Sequence, residues 1–206
     1  LKVSGYQVAA AHLNHQLRGR ESAADEQFVR RLCRQWETPL VVEREDVAAR
    51  ARRHGLSIEE AARIARYRFL AGIARRQKLR KVLAAHHQRD QAETVLLKIF
   101  YGCSRHQLQG MAIKRSLPSP SWNRNGKAMA PVGSSLQLIR PLLEAPPAEI
   151  ALYARQHRLA FREDSSNRDL MRPRNWIRHR LLPLIERGLN RNIVKTLARL
   201  GNADDV

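Results

Sequence analysis

Apolar and polar positions alternate along the first hundred residues in a pattern that predicts a fold class. Tyr6–Leu13 (YQVAAAHL) is a short apolar run between turn-forming residues, the signature of a buried strand. From Ser22 to about Trp36, Ala24, Phe28, Val29, Leu32 and Cys33 recur at helical spacing, and Ser22 with Asp25 reads as the opening capping pair. Leu40–Glu43 (LVVE) reads as a second strand. Ser57-Ile-Glu-Glu60 is a capping box that starts an amphipathic helix reaching about Gln77. Lys81–Ala85 (KVLAA) is a third strand, and Asp90–Tyr101 another helix. Strand and helix in repeated alternation predict parallel strands joined by right-handed crossovers, hence an α/β fold with a doubly wound, mostly parallel sheet.

The pattern changes after Gly102. Between Thr94 and Leu143 there is no acidic residue, and Ser116–Ser135 is rich in Pro, Ser, Gly and Asn, the composition of a mobile basic loop. Leu136–Arg140 returns as a strand stopped by Pro141. Pro146–His157 reads as a helix with proline in its first turn, and Arg174–Glu186 and Asn190–Leu200 as two more. The expected organisation is an α/β nucleotide-binding domain over 1–110, a basic loop and return strand over 111–145, and a small helical basic appendage over 146–206.

Charge narrows the partners. The 206 residues carry 38 Lys+Arg against 19 Asp+Glu, a formal charge of +19, and arginine supplies 31 of the cations. Arginine is the side chain for bidentate phosphate contact and base stacking, so a nucleic acid or nucleotide partner is favoured. The apolar runs fall far short of the roughly 20 residues a membrane span needs, and the opening lacks the charged-then-apolar order of a signal peptide, which predicts a soluble, cytoplasmic protein with no membrane partner. Cys33 and Cys103 have neither a disulfide framework nor Cys-x-x-Cys spacing and read as reduced thiols.

In open parallel sheets ligands bind beyond the carboxyl ends of the strands. Two polar clusters fall there: His12, Asn14, His15 and Arg18 after the first strand, and His86, His87, Asp90, Gln91 and Glu93 after the third. Asp90 and Glu93 have the spacing of a helix N-cap and its third residue, and equally that of a carboxylate pair holding Mg²⁺ beside phosphates. Arg63 and Arg66 share a helix face, as solvated charges or as anion ligands. Arg172, Arg174, Arg178 and Arg180, with Asn175 and His179, surround Trp176 and Ile177, a set suited to phosphate contact with stacking or to an ordinary helix with a core face. Gly-x-Gly-x-x-Gly, Gly-Lys-Ser/Thr and Gly-x-Ser-x-Gly are all absent from the sequence.

Five strings, in order over residues 9 to about 187, resemble the tRNA(Ile)-lysidine synthetase family of N-type ATP pyrophosphatases: AAAHLNHQLRG (9–19), SIEEAARIARYRFL (57–70), AAHHQRDQAETVLLKIFYG (84–102), IRPLLEAPPAEIALYA (139–154) and REDSSNRDLMRPRNWIRHRLLP (162–183). The resemblance implies an adenine nucleotide alpha-hydrolase-like fold and a two-step ligation. ATP adenylates the wobble cytidine of tRNA(Ile) at its C2 oxygen, and the amine of free L-lysine then displaces AMP from C2. By position, it implies Asp90 and Glu93 at the reacting centre, with Asp90 as a Mg²⁺ ligand. Asn14, Arg63, Arg66 and His86 would line the ATP and substrate site, and Arg174, Asn175 and Arg178 would meet the tRNA. The family's Ser-Gly-Gly-x-Asp-Ser phosphate loop precedes the strand aligned with Tyr6–Leu13 and is not in these 206 residues, and Arg89 and Gln16 stand where an acid and a glycine are common. The absent loop puts the activity of the chain as given in question and leaves two rivals: a non-catalytic tRNA-binding remnant, and a related tRNA-adenylating or thiolating enzyme. Oligomeric state stays open, a homodimer included.

Overall fold

The computed structural model describes residues 4–104, 108–117, 121–122, 128–129 and 136–202. The chain divides into two compact units, Leu1–Val82 with Ser116–Leu138 and Leu83–Arg115 with Ile139–Val206.

In the first unit, strand β1 (Ala10–Asn14) runs parallel to β2 (Leu40–Arg44), in register from Ala10 opposite Leu40 to Asn14 opposite Arg44. A parallel pair needs a crossover, supplied by helix α1 (Arg20–Gln35). Two differences from the sequence expectation are local. β1 starts at Ala10 rather than Tyr6. The residue before α1 is Gly19, at φ +50, with no side-chain cap, and the Ser22 hydroxyl instead accepts from the Arg18 N–H. Helix α2 (Val47–His54) was not expected. Asp46 caps it by accepting from the Ala49 N–H, and Gly55 ends it in the left-handed region at φ +61, returning its N–H to the last turn. Helix α3 (Ile58–Arg76) starts as the sequence predicts, with the Ser57 side chain accepting from the Glu60 N–H. Val47, Ala51, Ala61 and Ala65 form the core between α2 and α3, closed by Leu13 and Leu56. The small residues let the two helices approach closely.

Strand β3 (Lys81–Leu83) is shorter than the predicted run and precedes helix α4 (Gln88–Phe100). Strands β4 (Lys114–Ser116) and β7 (Gln137–Ile139) complete a three-stranded sheet in the order β3-β7-β4. The stretch 116–135 predicted as a loop holds a short antiparallel ladder, β5 (Ser121–Trp122) against β6 (Ala128–Met129); its remaining residues from 118 onward lie outside the described ones.

In the second unit, Pro146 precedes helix α5 (Pro147–Gln156), as expected. A helical stretch follows as α6 (Pro173–Trp176), a π-helical turn over Ile177–Leu181, and α7 (Leu182–Gly188); α8 (Ile193–Gly201) comes last. The sequence predicted one regular helix there, but the Leu182 N–H reaches back five residues to the Ile177 carbonyl. The core joins Ala92, Val95 and Leu96 of α4 to Ile177, Leu182, Val194 and Leu197. Gly110 and Gly201 meet backbone to backbone, with the Gly110 N–H on the Gly201 carbonyl at 2.8 Å. Beside them the fully buried Gln91 accepts from the Met111 N–H (2.7 Å) and donates to the Asn202 Oδ1 (2.5 Å).

Candidate active site

The start of α4 is set by a reciprocal cap. The His87 Nδ1 accepts from the Asp90 N–H, and the Asp90 Oδ2 accepts from the His87 N–H at 3.0 Å. The cap is therefore His87, with Asp90 as its third residue, so the helix starts three residues before the sequence assignment of Asp90 as cap. That frees Glu93 from capping. It lies on the buried side of the second turn with no exposed surface.

A buried carboxylate needs partners, and two arginines from more than eighty residues downstream provide them. Arg174 Nε donates to Glu93 Oε2 at 2.7 Å. Arg178 donates from Nε to Oε1 at 2.6 Å and from Nη2 to Oε2 at 2.9 Å. Asp90 Oδ1 accepts from Nη2 of both arginines, each at 3.1 Å. The hydrogen bond to Glu93 raises the Arg178 pKa above its already high ordinary value, against the opposing effect of burial. Two acids and two guanidiniums balance in charge, so the cluster supplies aimed donors. Both guanidiniums are fixed through Nε and Nη2, and among the described residues neither Nη1 meets an acceptor. Arg174 and Arg178 remain a third and a fifth exposed.

As ligands for a protein-held metal this set is poor. Each oxygen of Glu93 and the Oδ1 of Asp90 face guanidinium hydrogens. Among the described residues no three His, Cys, Asp or Glu side chains cluster to hold an ion.

The other predicted residues have distinct surroundings. Asn175 is buried and its amide donates to the carbonyls of Ser166 (2.8 Å) and Asp169 (2.9 Å), fastening the turn before α6. His86 lies between the end of β3 and the cap residue of α4, in the connection after the third strand. In the first unit, Asn14 closes β1 buried, its amide donating to the Ser22 carbonyl and the Glu26 carboxylate. Arg63 and Arg66 are exposed on α3, Arg63 lying 5.7 Å over the Tyr67 ring.

Sequence reasoning missed Glu26. It is buried and accepts from Arg30, Arg44 and Asn14, and the Arg44 bond, then the Asn14 bond, holds its carboxyl at about 2. The Glu26–Arg30 spacing of four was the available signal. His12 and His15, in contrast, are held neutral. Burial lowers both, His15 to about 4 with Arg66 adding to the effect, and the buried His12 Nε2 and His15 Nδ1 have no partner among the described residues.

Comparison with known proteins gives a consistent picture. The model of the PP-loop domain family matches residues 1–185. The chain is 39% identical over 200 residues to the tRNA(Ile)-lysidine synthase of Geobacter sulfurreducens, covering 96% of this chain and 38% of that protein. It is 37% identical over 199 residues to the tRNA(Ile)-lysidine synthase of Porphyromonas gingivalis, covering 97% and 39%. The chain thus spans less than two fifths of the length of these relatives. Among solved structures, the U34-tRNA thiolase NcsA of Methanococcus maripaludis matches with a TM-score of 0.57 at 14% identity, over 95% of this chain and 62% of that one, a likeness of fold.

Proposed function

The chain belongs to the PP-loop domain family, and from that premise we propose that it takes part in ATP-dependent ligation of L-lysine to C2 of the wobble cytidine of tRNA(Ile). In the first step the cytidine C2 oxygen attacks the α-phosphorus of ATP, forming a P–O bond as the α–β anhydride breaks and pyrophosphate leaves. In the second, the lysine amine attacks C2, the C–O bond to AMP breaks, and the amine gives up a proton. Both steps build negative charge on phosphate oxygens, which fixed donors stabilise without reorganising.

The observation that carries the reading is the Asp90–Glu93–Arg174–Arg178 cluster, in a chain similar along nearly its whole length to lysidine synthases. Glu93 is a positioning residue: it locks the two guanidiniums so that their Nη1 groups are available to the adenylate. Asp90 completes the lock and ties it to the cap of α4. Arg63, Arg66, His86 and Asn14 belong to the nucleotide side of the reaction, and Asn175 acts by holding the turn from which Arg174 projects. Mg²⁺ enters with ATP as part of the substrate. Cytoplasmic location follows from this substrate, and among the described residues no helix is long and apolar enough to cross a membrane.

The test measures transfer of radiolabelled lysine to tRNA(Ile) with ATP and Mg²⁺, using the chain and a version carrying a Ser-Gly-Gly-x-Asp-Ser loop upstream of Leu1. Lysidine in the nuclease digest from either protein is the expected result. tRNA binding without lysine transfer by both, or a thionucleoside mass in a parallel reaction supplied with sulfide, would overturn it.

A further inference from the structure

One feature of the second unit is not used by that chemistry. Beyond the acid–arginine cluster, α4 and the 170–181 segment flank an open apolar pocket of about 580 Å³, lined chiefly by Leu97, Phe100, Tyr101, Met171, Trp176 and Leu181. Its large side chains face solvent: Phe100 is 61% exposed, Tyr101 74%, Met171 91% and Trp176 47%. Exposing three aromatics side by side is costly unless something flat covers them.

The geometry points to a base-stacking pocket for an unpaired nucleotide of the RNA substrate, next to the one that reacts. Three observations carry this. First, the pocket continues the same helices as the cluster. Glu93 and Leu97 are four apart along α4 and Tyr101, its C-cap, four further on, which at about 1.5 Å per residue sets the pocket roughly 6–12 Å from Glu93, the reach of one neighbouring nucleotide. Second, the π-helical turn allows the double duty of the facing segment. Arg174 and Arg178 meet the acids, while the wider turn lets both Trp176 and Leu181, five residues apart, line the pocket. Third, the surroundings suit a polyanion carrying a flat apolar group. α4 leads into the acid-free stretch 94–143, and Glu163 and Asp169, on the segment leading into the pocket, are each paired with an arginine, Arg168 and Arg172. Arg180 follows Trp176 by one turn and is exposed. An aromatic platform flanked by arginine binds bases with little regard to sequence.

The inference rests on the RNA-substrate reading above, and its test separates the two. An RNA hairpin with an anticodon-type loop is bound to the chain, intact or with a single abasic nucleotide moved through the loop, and affinities are compared for the parent, Trp176→Ala, Trp176→Phe and Tyr101→Ala. For intact RNA, Trp176→Ala is expected to weaken binding roughly 5- to 150-fold, Trp176→Phe to restore most of it, and Tyr101→Ala to weaken it less. At one abasic position the parent should lose affinity by a similar factor, and Trp176→Ala should then cost nothing further. RNA binding that ignores both the missing base and Trp176 would overturn the pocket and leave the functional reading intact. Absence of RNA binding by the folded parent would overturn both. Loss of self-association in Trp176→Ala with RNA affinity unchanged would assign the patch to a protein interface and overturn the pocket.

Discussion

Replacing Glu93 with glutamine tests the central claim that this acid holds two arginines in place. Its carboxylate accepts at 2.7, 2.6 and 2.9 Å with no exposed surface. Three charge-assisted bonds at about 1.5–3 kcal/mol each would suggest a large sum, but they share one acceptor group and are not additive. Glutamine keeps the shape and one carbonyl acceptor while turning an NH₂ toward a guanidinium. The two arginines lose their buried counter-charge but keep Asp90 and can turn partly to water, since Arg174 is 33% and Arg178 21% exposed. Breaking a buried pair costs about 3–5 kcal/mol, and this escape places Glu93→Gln at about 3 kcal/mol. Urea unfolding followed by far-UV circular dichroism reads the loss as a lower midpoint at constant slope. Arg178→Gln closes a double-mutant cycle, in which the pair should cost at least about 1.5 kcal/mol less than the sum of the single variants. A Glu93→Gln variant within about 1 kcal/mol of the parent, or an additive cycle, would refute the reasoning and return Glu93 to the pool of candidate proton-transfer groups.

Four further outcomes follow from individual residues. A Cβ on Gly110 would lie 2.5 Å from the side chain of Gln91, which is buried and bonded on both ends, so Gly110→Ala should destabilise by about 1–3 kcal/mol in the same urea assay, and a neutral result would mean the 110–201 contact is loose. Ser57→Ala removes the cap of α3 and should cost about 1 kcal/mol, with Ser57→Asp largely restoring it. Glu26, at about 2 when folded against 4.5 for a free carboxyl, adds stability that is full above pH 4.5 and lost as pH falls toward 2; Glu26→Gln should flatten the urea midpoint over that window, and parallel curves would contradict the assignment. His15, at about 4 when folded against 6.5 unfolded, stays neutral in the native protein, so its contribution is complete above pH 6.5 and shrinks as pH falls toward 4; an imidazole NMR titration with a midpoint near 6.5 would exclude it.

What the sequence made legible is what neighbouring residues decide. The Ser57 cap, the Leu40 strand, Pro146 before its helix and the parallel pairing of β1 with β2 rest on spacings of a few residues, and the structure has them. α2 was equally local, with Asp46 before it and Gly55 after it, but its apolar face is little more than Val47 and Ala51 and shows no long periodic run. The cap of α4 was displaced because carboxylates are ranked above imidazole as N-caps, whereas here the His87 Nδ1 takes that place. The burial of Glu93 could not be read at all. Arg174 and Arg178 reach it across more than eighty residues, and no local pattern distinguishes a buried acid with two distant partners from a solvated one on the same helix.

The π-helical turn lets charged and apolar side-chain clusters sit side by side on one short helix. In a regular α-helix, residues four apart share a face, so Arg174 and Arg178 would share theirs with Leu181 and Leu182 and leave Trp176 apart from them. The π turn inserts a residue into the ladder between Ile177 and Leu182. It lets the arginines address Glu93 and Asp90 while Ile177 and Leu182 enter the core and Trp176 and Leu181 face the apolar pocket. A single-residue change of register thus places polar and aromatic groups on adjoining sides of the same element. The function and the stacking pocket proposed above, a reacting nucleotide among charges beside a stacked neighbour, both depend on that adjacency. The Asn175 amide, bonded to the carbonyls of Ser166 and Asp169, anchors the turn that leads into it.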